Sequence, residues 1–388
     1  MDLRDILLDL LAPAKIGDAL TPDVRLSGAS TELGFRITVI VDGRHEVHVE
    51  VSPRAPGQPH AARTRQLAFT YRSGGAERVD PQAGLRACAA VAAAAAPRET
   101  AVLNALAQGG TGETSRIREV EVTRLLELAG PPARRFYSLS PYVGCLIGCR
   151  FCYAQSRLDP MREVIRLPQV QWGSYVDARV NAPEVLAAEL RERPRLPIKF
   201  CPIVSDPYQA IERSLGLTRR CLEVLAAAPD PPPVMIMTRS ELILRDLDLL
   251  RALPDAWAGA SIPTLDDTVR AHFEPRAADI PARFAVLRSL RDAGIRRGVV
   301  VQPMLPGPLG ALADALAEHV DSVSLGVLRG EHGAVADFAD PRFRHAGDEA
   351  WQKERAFALR DALVARGVTV WLSELPPEIE SWRPAAAR

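Results

Sequence analysis

The sequence predicts an α/β protein in which a small N-terminal α/β unit precedes a parallel sheet of six strand–helix units. Three observations point there. From about residue 135 onward, short apolar runs alternate with helical patterns, as in a parallel sheet covered on both faces. Near the start, apolar residues alternate on both sides of Asp42-Gly43, the mark of a separate hairpin. The unusual polar motifs fall just after the apolar runs, where parallel α/β barrels gather their reactive groups.

Taken in order, Ile6, Leu7, Leu10 and Leu11 follow helical spacing. Phe35, Ile37, Val39 and Val41 alternate up to Asp42-Gly43, and Val47, Val49 and Val51 alternate after it. Leu67–Tyr71 predicts a third strand, and an Ala-rich stretch predicts one helix over about 81–108. His45 and His48 are an odd number of residues apart, so on a strand they face opposite ways and make no joint metal site. Gly109-Gly110-Thr111-Gly112 opens a linker; it resembles a phosphate loop only superficially, because the lysine is missing. The expected strands then run over 136–142, 197–204, 234–237, 256–262, 299–301 and 323–325, with helices near 218–228, 281–293 and 310–319. A last helix (about 349–366) and the apolar run 368–372 are placed at the open edge. The expected division is 1–108 accessory α/β domain, 109–132 linker, 133–335 core and 336–388 C-terminal extension.

At 388 residues the chain has room for two or three domains of ~150 residues, and its 47% apolar residues can fill a sizeable core. The 48 basic and 48 acidic side chains cancel. This argues mildly against tight non-specific DNA binding and leaves room for a local basic groove. Acids near the start, Asp2 and Asp5, stand where a signal peptide needs basic residues, and no apolar run reaches the ~20 residues of a membrane span. The expectation is a cytoplasmic protein, with no membrane partner. In that compartment thiols stay reduced, so clustered cysteines imply metal binding.

Such a cluster exists: Cys145, Cys149 and Cys152 stand at C-x3-C-x2-C. Soft thiolates select iron–sulfur clusters, zinc or Cu(I). A closed structural zinc takes four ligands and the local count is three, so zinc needs a fourth from elsewhere. An iron–sulfur cube also normally takes four thiolates, so three leave one iron open to a small molecule.

The motif, with Phe151 before its last cysteine, is the signature of radical SAM enzymes. The wider string, Ser140-Pro141-Tyr142-x-Gly144-Cys145 and then Cys152-Tyr153-Ala154-Gln155, resembles the spore photoproduct lyase–like family. Asp206-Pro207-Tyr208-Gln209, Glu212, Thr218-Arg219 and Glu274-Pro275-Arg276 with Arg283 resemble the same subgroup. The resemblance covers about residues 133–330 and leaves the first 110 unexplained. It implies a partial (β/α)6 TIM-like barrel, a [4Fe-4S] cluster on the three cysteines, and reductive cleavage of S-adenosylmethionine to a 5′-deoxyadenosyl radical that acts on an unidentified substrate. It also implies an electron donor such as flavodoxin or ferredoxin.

The implied cofactor contacts are Phe151 near the adenine, Ser205 and Asp206 at the methionyl amine, Arg239 and Ser261 at the carboxylate, and Gln302 at the end of the fifth strand. Other roles stand beside these: Asp206 as a turn cap, Ser261 as a core hydroxyl, Arg239 as the partner of Glu241 or Asp246. Glu274 and Arg283 are read as a pair beneath the site. Cys201 occupies the strand that carries a hydrogen-donating cysteine in spore photoproduct lyase, displaced by two residues; a buried cysteine is otherwise a small hydrophobe. Cys88 and Cys221 read as core. Two other functions compete: a lyase acting on thymine photoproducts in DNA, and a non-enzymatic zinc-binding interaction protein.

Limited proteolysis tests the linker. The Gly-rich stretch 109–115 is expected to be the first internal site cut, because few contacts can fix such a backbone. Primary cleavage elsewhere, with this stretch intact, would count against it.

Overall fold

The computed structural model describes every residue except 1–2, 32–33, 55–58, 74–78, 110–116, 165–166, 168–169, 201–202, 329–333 and 383–388. The Gly-rich start of the expected linker, 110–116, therefore lies outside the described residues, as does Cys201; the rest of it, 117–132, is described and includes the strands Ile117–Val120 and Glu127–Ala129. The chain forms two compact units. One is Met1–Thr123 with Arg157–Val170; the other is Arg124–Ser156 with Gln171–Arg388.

The first unit contains a six-stranded antiparallel sheet. Its strands are Ala19–Thr21, Val24–Ser30, Arg36–Val41, His45–Pro53, Leu67–Ser73 and, at the edge, the short Ala62–Arg63. The hairpin turns at Asp42-Gly43, where both residues have positive φ (52° and 68°), the backbone that two-residue hairpins favour. Ile37, Val39 and Val41 pair with Val49, Val47 and His45, and the four valines and the isoleucine among them are buried. The helix Pro81–Ala95 packs on this sheet. Asp80 caps it, accepting hydrogen bonds from the amides of Gln82 and Ala83. Small residues let it lie close: a Cβ at Gly84 would strike the Tyr71 ring. The single helix expected over 81–108 is two, Pro81–Ala95 and Glu99–Gly109. Pro97 lies between them and cannot continue a helical ladder.

The second unit is a curled parallel sheet, a partial barrel. Its strands are β1 (Phe136–Leu139), β2 (Ile198–Phe200), β3 (Val234–Thr238), β4 (Ala256–Ser261), β5 (Arg296–Val301), β6 (Ser322–Leu325) and β7 (Thr369–Trp371). They lie in sequence order and every neighbouring pair is parallel; Glu127–Ala129 adds one antiparallel strand beside β1. All six expected strands are present. The run placed at the open edge is the seventh parallel strand, so the C-terminal segment continues the same sheet.

Alternation along the strands builds two apolar layers. Leu139, Ile198, Phe200, Val234, Ile236 and Ala258 pack outward against Leu186, Leu222 and Leu225 of the surrounding helices. Phe136, Met235, Met237, Trp257 and Trp371 pack with Leu375 and Ile379 as a separate cluster on the other face. This second layer leaves the opposite strand ends for polar groups.

β4 and β5 meet at two glycines in register, Gly259 and Gly298. A Cβ added to Gly259 would land on the Gly298 carbonyl oxygen. Backbone cannot yield as a flexible side chain does. Gly259→Ala is expected to lower unfolding free energy by about 3 kcal/mol, the upper range for overpacking, measured by urea denaturation. A midpoint equal to wild type would mean that β4 and β5 tolerate the wider spacing.

Candidate active site

Every feature of the site hangs from the carboxyl ends of β1 to β6. After β1, Tyr142–Val143 pairs antiparallel with Val176–Arg179, and the cysteine loop begins at Gly144. Gly144 has φ +89°, and a Cβ there would sit 2.6 Å from the Tyr175 carbonyl oxygen, so the turn needs glycine. The amide of Cys152 donates to the Cys149 carbonyl at 3.1 Å, closing the loop just before the helix Tyr153–Val164. Trp172 Nε1 donates to the same Cys149 carbonyl at 3.2 Å.

Cys145, Cys149 and Cys152 line one cavity together with Ile147, Trp172, Ser205, Asp206 and Arg239. Burial pushes the Cys145 thiol up to about 12 and raises Cys149 and Cys152 as well, each aggravated by or set against nearby charge. Three buried thiols can become thiolates together only beside a strong positive charge, which a cluster of iron ions supplies. Among the described residues, no set of three or more His, Cys, Asp or Glu side chains could hold a single metal ion. The three thiols line a shared space, and the softness of that donor set fits a multi-iron cluster.

A second, larger cavity shares Cys149, Cys152 and Arg239 with the first. Phe151, Tyr153, Ser261, Val300, Gln302, Pro303, Val327 and Leu328 complete its lining. The structure thus brings Ser205, Asp206 and Arg239 to the thiols. Phe151, Ser261 and Gln302 meet Arg239 at the adjoining space.

Asp206 is buried and bridges two strand ends. Its Oδ1 accepts from Thr238 Oγ1 (2.6 Å) and the Tyr208 amide (2.9 Å), and its Oδ2 accepts from the Arg239 amide (2.8 Å). Burial raises its pKa, and those hydrogen bonds oppose the rise. The turn-cap role is therefore real, and it coexists with a place on the cavity wall.

Arg239 pairs with neither Glu241 nor Asp246. Its Nε donates to Glu274 Oε1 at 2.5 Å, and its Cζ lies 5.8 Å from the centre of the Phe151 ring. Burial works against the Arg239 charge, but Cys149 and Glu274 beside it more than compensate and its pKa moves up. Glu274 Oε2 accepts from Arg283 Nη2 at 2.5 Å, and Arg283 Nη1 donates to the Ser261 carbonyl at 2.6 Å. The Glu274–Arg283 pair read in the sequence is thus present, with Arg239 as a third member. Desolvation alone would raise the Glu274 pKa; the guanidiniums of Arg283 and Arg239 bring it below its ordinary value.

Glu212, fully buried, accepts from Tyr142 Oη (2.5 Å), the Thr218 amide (2.9 Å) and Arg245 Nη2 (2.5 Å). It ties the start of the cysteine loop to the helix Leu217–Ala226. Gln302 Nε2 donates to the Val327 carbonyl at 3.0 Å, joining the β5 and β6 ends.

Sequence reasoning missed Gln352, on the helix Glu349–Val364. Its Oε1 accepts from the amides of Met304 (3.0 Å) and Leu328 (3.2 Å), and its Nε2 donates to the carbonyls of Met304 and Ala346 (2.7 Å each). From the C-terminal segment it holds Leu328, which lines the larger cavity, and Met304, the residue after the lining Pro303. No local pattern could reveal a partner 48 residues away.

Together the fold and the site define a parallel-barrel protein whose strand ends carry three thiols around one cavity. Residues 139–325 match the Radical SAM superfamily model. The chain carries a radical SAM domain, the domain of enzymes that use a [4Fe-4S] cluster and S-adenosylmethionine. An uncharacterised protein of Methanocaldococcus jannaschii is 26% identical over 170 residues, 44% of this chain and 61% of that protein. The Radical SAM Nalpha-GlyT isomerase of Pseudomonas phage M6 is 26% identical over 170 residues, 43% of this chain and 33% of the isomerase. The chain thus matches less than two thirds of the length of either relative. A spore photoproduct lyase structure with bound AdoMet and dinucleoside spore photoproduct overlays with a TM-score of 0.49 at 19% identity, over 66% of this chain and 82% of that one. Among the described residues no helix is long and apolar enough to cross a membrane.

The Glu274 cluster predicts a pH dependence. A carboxyl whose folded pKa lies below its ordinary value of 4.5 stabilises the fold above that value, and the contribution is lost as pH falls through the folded pKa. Glu274→Gln leaves two buried guanidiniums without their anion and is expected to cost about 3 kcal/mol near neutral pH. The gap between variant and wild type should narrow on acidification. Urea unfolding at several pH values checks it, and a constant gap would remove ionised Glu274 from the account.

Proposed function

We propose that this chain is a radical SAM enzyme. Cys145, Cys149 and Cys152 hold a [4Fe-4S] cluster, and S-adenosylmethionine binds between the thiols and the larger cavity. When bound, the cluster supplies the electron that cleaves S-adenosylmethionine to a 5′-deoxyadenosyl radical, which acts on a substrate still to be identified. The observation that carries this reading is the single cavity shared by three thiols, an acid and a guanidinium.

The chain's own residues then have distinct tasks. Asp206 faces the methionyl ammonium: it takes three hydrogen bonds from the protein, and a carboxylate has about four acceptor sites, so capacity remains on Oδ2. Ser205 adds a hydroxyl to the same wall. Arg239, held by Glu274, turns its fork toward the methionyl carboxylate, a match of charge and shape. Ser261 and Gln302 line the larger space for the rest of the cofactor, with Phe151 beside the adenine. Apolar walls at Val300, Val327 and Leu328 keep water from the reacting atoms. Because one electron is consumed, a small donor such as flavodoxin or ferredoxin is the proposed partner, in the cytoplasm where the thiols stay reduced. Residues 133–335 are proposed as the catalytic core, 336–388 as its C-terminal extension and 1–108 as an accessory domain. Cys201 stays a proposed hydrogen donor.

Two measurements test this. A Cys145→Ala, Cys149→Ala, Cys152→Ala variant, reconstituted without oxygen, should bind no cluster and leave S-adenosylmethionine uncleaved; a full complement of iron and sulfide would refute the ligand set. Asp206→Asn removes a charge and sets a donor against an ammonium. A lost charged hydrogen bond of roughly 1.5–3 kcal/mol weakens cofactor binding about ten- to a hundredfold. Titration followed by the cluster's EPR signal reads this, and equal affinities with an intact cluster would leave Asp206 a turn cap only.

A further inference from the structure

Two motifs singled out in the sequence, Asp206-Pro207-Tyr208-Gln209 and Glu274-Pro275-Arg276, end in residues that the proposed chemistry does not use. Both reach the same residue, one on each of its flanking peptide units. Leu146 lies between the first two cysteines of the loop. Its amide donates to Gln209 Oε1 at 2.7 Å, and its carbonyl accepts from Arg276 Nε. Gln209 is buried, and its Nε2 donates onward to the Gly144 carbonyl (3.2 Å) and to Ser205 Oγ (3.3 Å). Arg276 Nη2 donates to the Gly173 carbonyl at 2.6 Å, in the turn whose Trp172 holds the Cys149 carbonyl.

The space around Arg276 is shaped for it. Gly148 and Gly173 both have positive φ, 68° and 86°, and lie against one another. A Cβ on Gly148 would stand 2.5 Å from Arg276 Nη2, and one on Gly173 would also collide with that nitrogen. The guanidinium is thus seated on two glycine backbones, one of them next to Cys149. A planar fork presents donors to two carbonyls from separate nitrogens in one fixed geometry, whereas an ammonium donates from a single freely rotating nitrogen.

We infer that Gln209 and Arg276 are positioning residues for the cysteine loop. Gripping Leu146 from its amide and its carbonyl, they fix the spacing of Cys145 and Cys149, and the solvent-exposed Arg276 guanidinium sets its charge on the loop backbone. Gln209 also couples the loop to Ser205, so the thiols and the β2 end keep one register. Only the identity of what the loop holds rests on the proposed function; the grip itself belongs to the chain without any bound group. If an iron–sulfur cluster is present, the Arg276 charge favours its reduced, more negative form.

The test begins with the apo chain. Thiol alkylation is timed by mass spectrometry in wild type, Gln209→Leu, Arg276→Gln and Arg276→Lys, with Cys88 and Cys221, buried in the core, as internal references. Loss of a charged hydrogen bond should free the loop, so Cys145 and Cys149 in Arg276→Gln react about tenfold faster while the references do not change. Arg276→Lys keeps the charge without the fork and should fall between. In anaerobically loaded protein, Arg276→Gln should shift the cluster's reduction potential downward, and Arg276→Lys should restore most of it. Unchanged alkylation of Cys145 and Cys149 in Gln209→Leu and both Arg276 variants would overturn the inference. So would faster alkylation of all cysteines alike in Arg276→Lys, because that reports general unfolding. A wild type that takes up no cluster would refute the proposed function and leave the alkylation result to decide the grip.

Discussion

A buried carboxylate between two guanidiniums holds the site together. Glu274 is fully buried and accepts from both Arg239 and Arg283. Such a group is costly to desolvate and is tolerated only when every lone pair finds a donor. Here the arrangement has a use. Arg283 ends on the Ser261 carbonyl, and Arg239 is aimed at the thiol cavity with its charge maintained. The end of β3 and the end of β4 are thus fixed relative to each other through one anion.

Asp206 does the same for β2 and β3. Its three hydrogen bonds come from the turn that follows β2, from Thr238 and from the Arg239 amide. The residue best placed to meet a cationic ligand is therefore also the residue that registers two strands. A carboxylate can play both parts because it accepts several bonds at once, whereas a serine or asparagine could serve fewer of these donors. Glu212 repeats the device one layer out, where it joins Tyr142 to the following helix. Polar strand ends linked in this way are rigid before any ligand arrives, which is what orienting a reactive cofactor requires.

The C-terminal segment belongs to this construction. β7 extends the parallel sheet, and Gln352 satisfies four main-chain groups on Met304, Leu328 and Ala346. Asp337 accepts from Arg150, the residue after Cys149, at 2.9 Å, and contacts His272 Nε2 at 2.7 Å. The N-terminal unit stands on its own hairpin chemistry and its own Ala-rich helix.

Local pattern alone determined a good deal. The strand positions were legible because a covered parallel strand must be a short apolar run, and the Asp42-Gly43 turn because few dipeptides adopt two positive φ values in succession. The cysteine spacing is likewise a local property, and it marked the centre of the site. The break at Pro97 was legible too, yet the Ala-rich composition around it masked the signal. Tertiary structure decided the partners. Arg239 could have met Glu241 or Asp246 by proximity in sequence, but the strand-end geometry gives it Glu274, 35 residues on. Gln352, on a helix rich in charged residues, carried no local signal and is buried. The Pro-Tyr-Gln and Glu-Pro-Arg motifs were visible as strings, and only the fold showed that both end on Leu146. Hydrophobic period and turn chemistry act over a few residues and can be read along the chain. Hydrogen bonds between strand ends depend on how the sheet curls, and no local pattern encodes that.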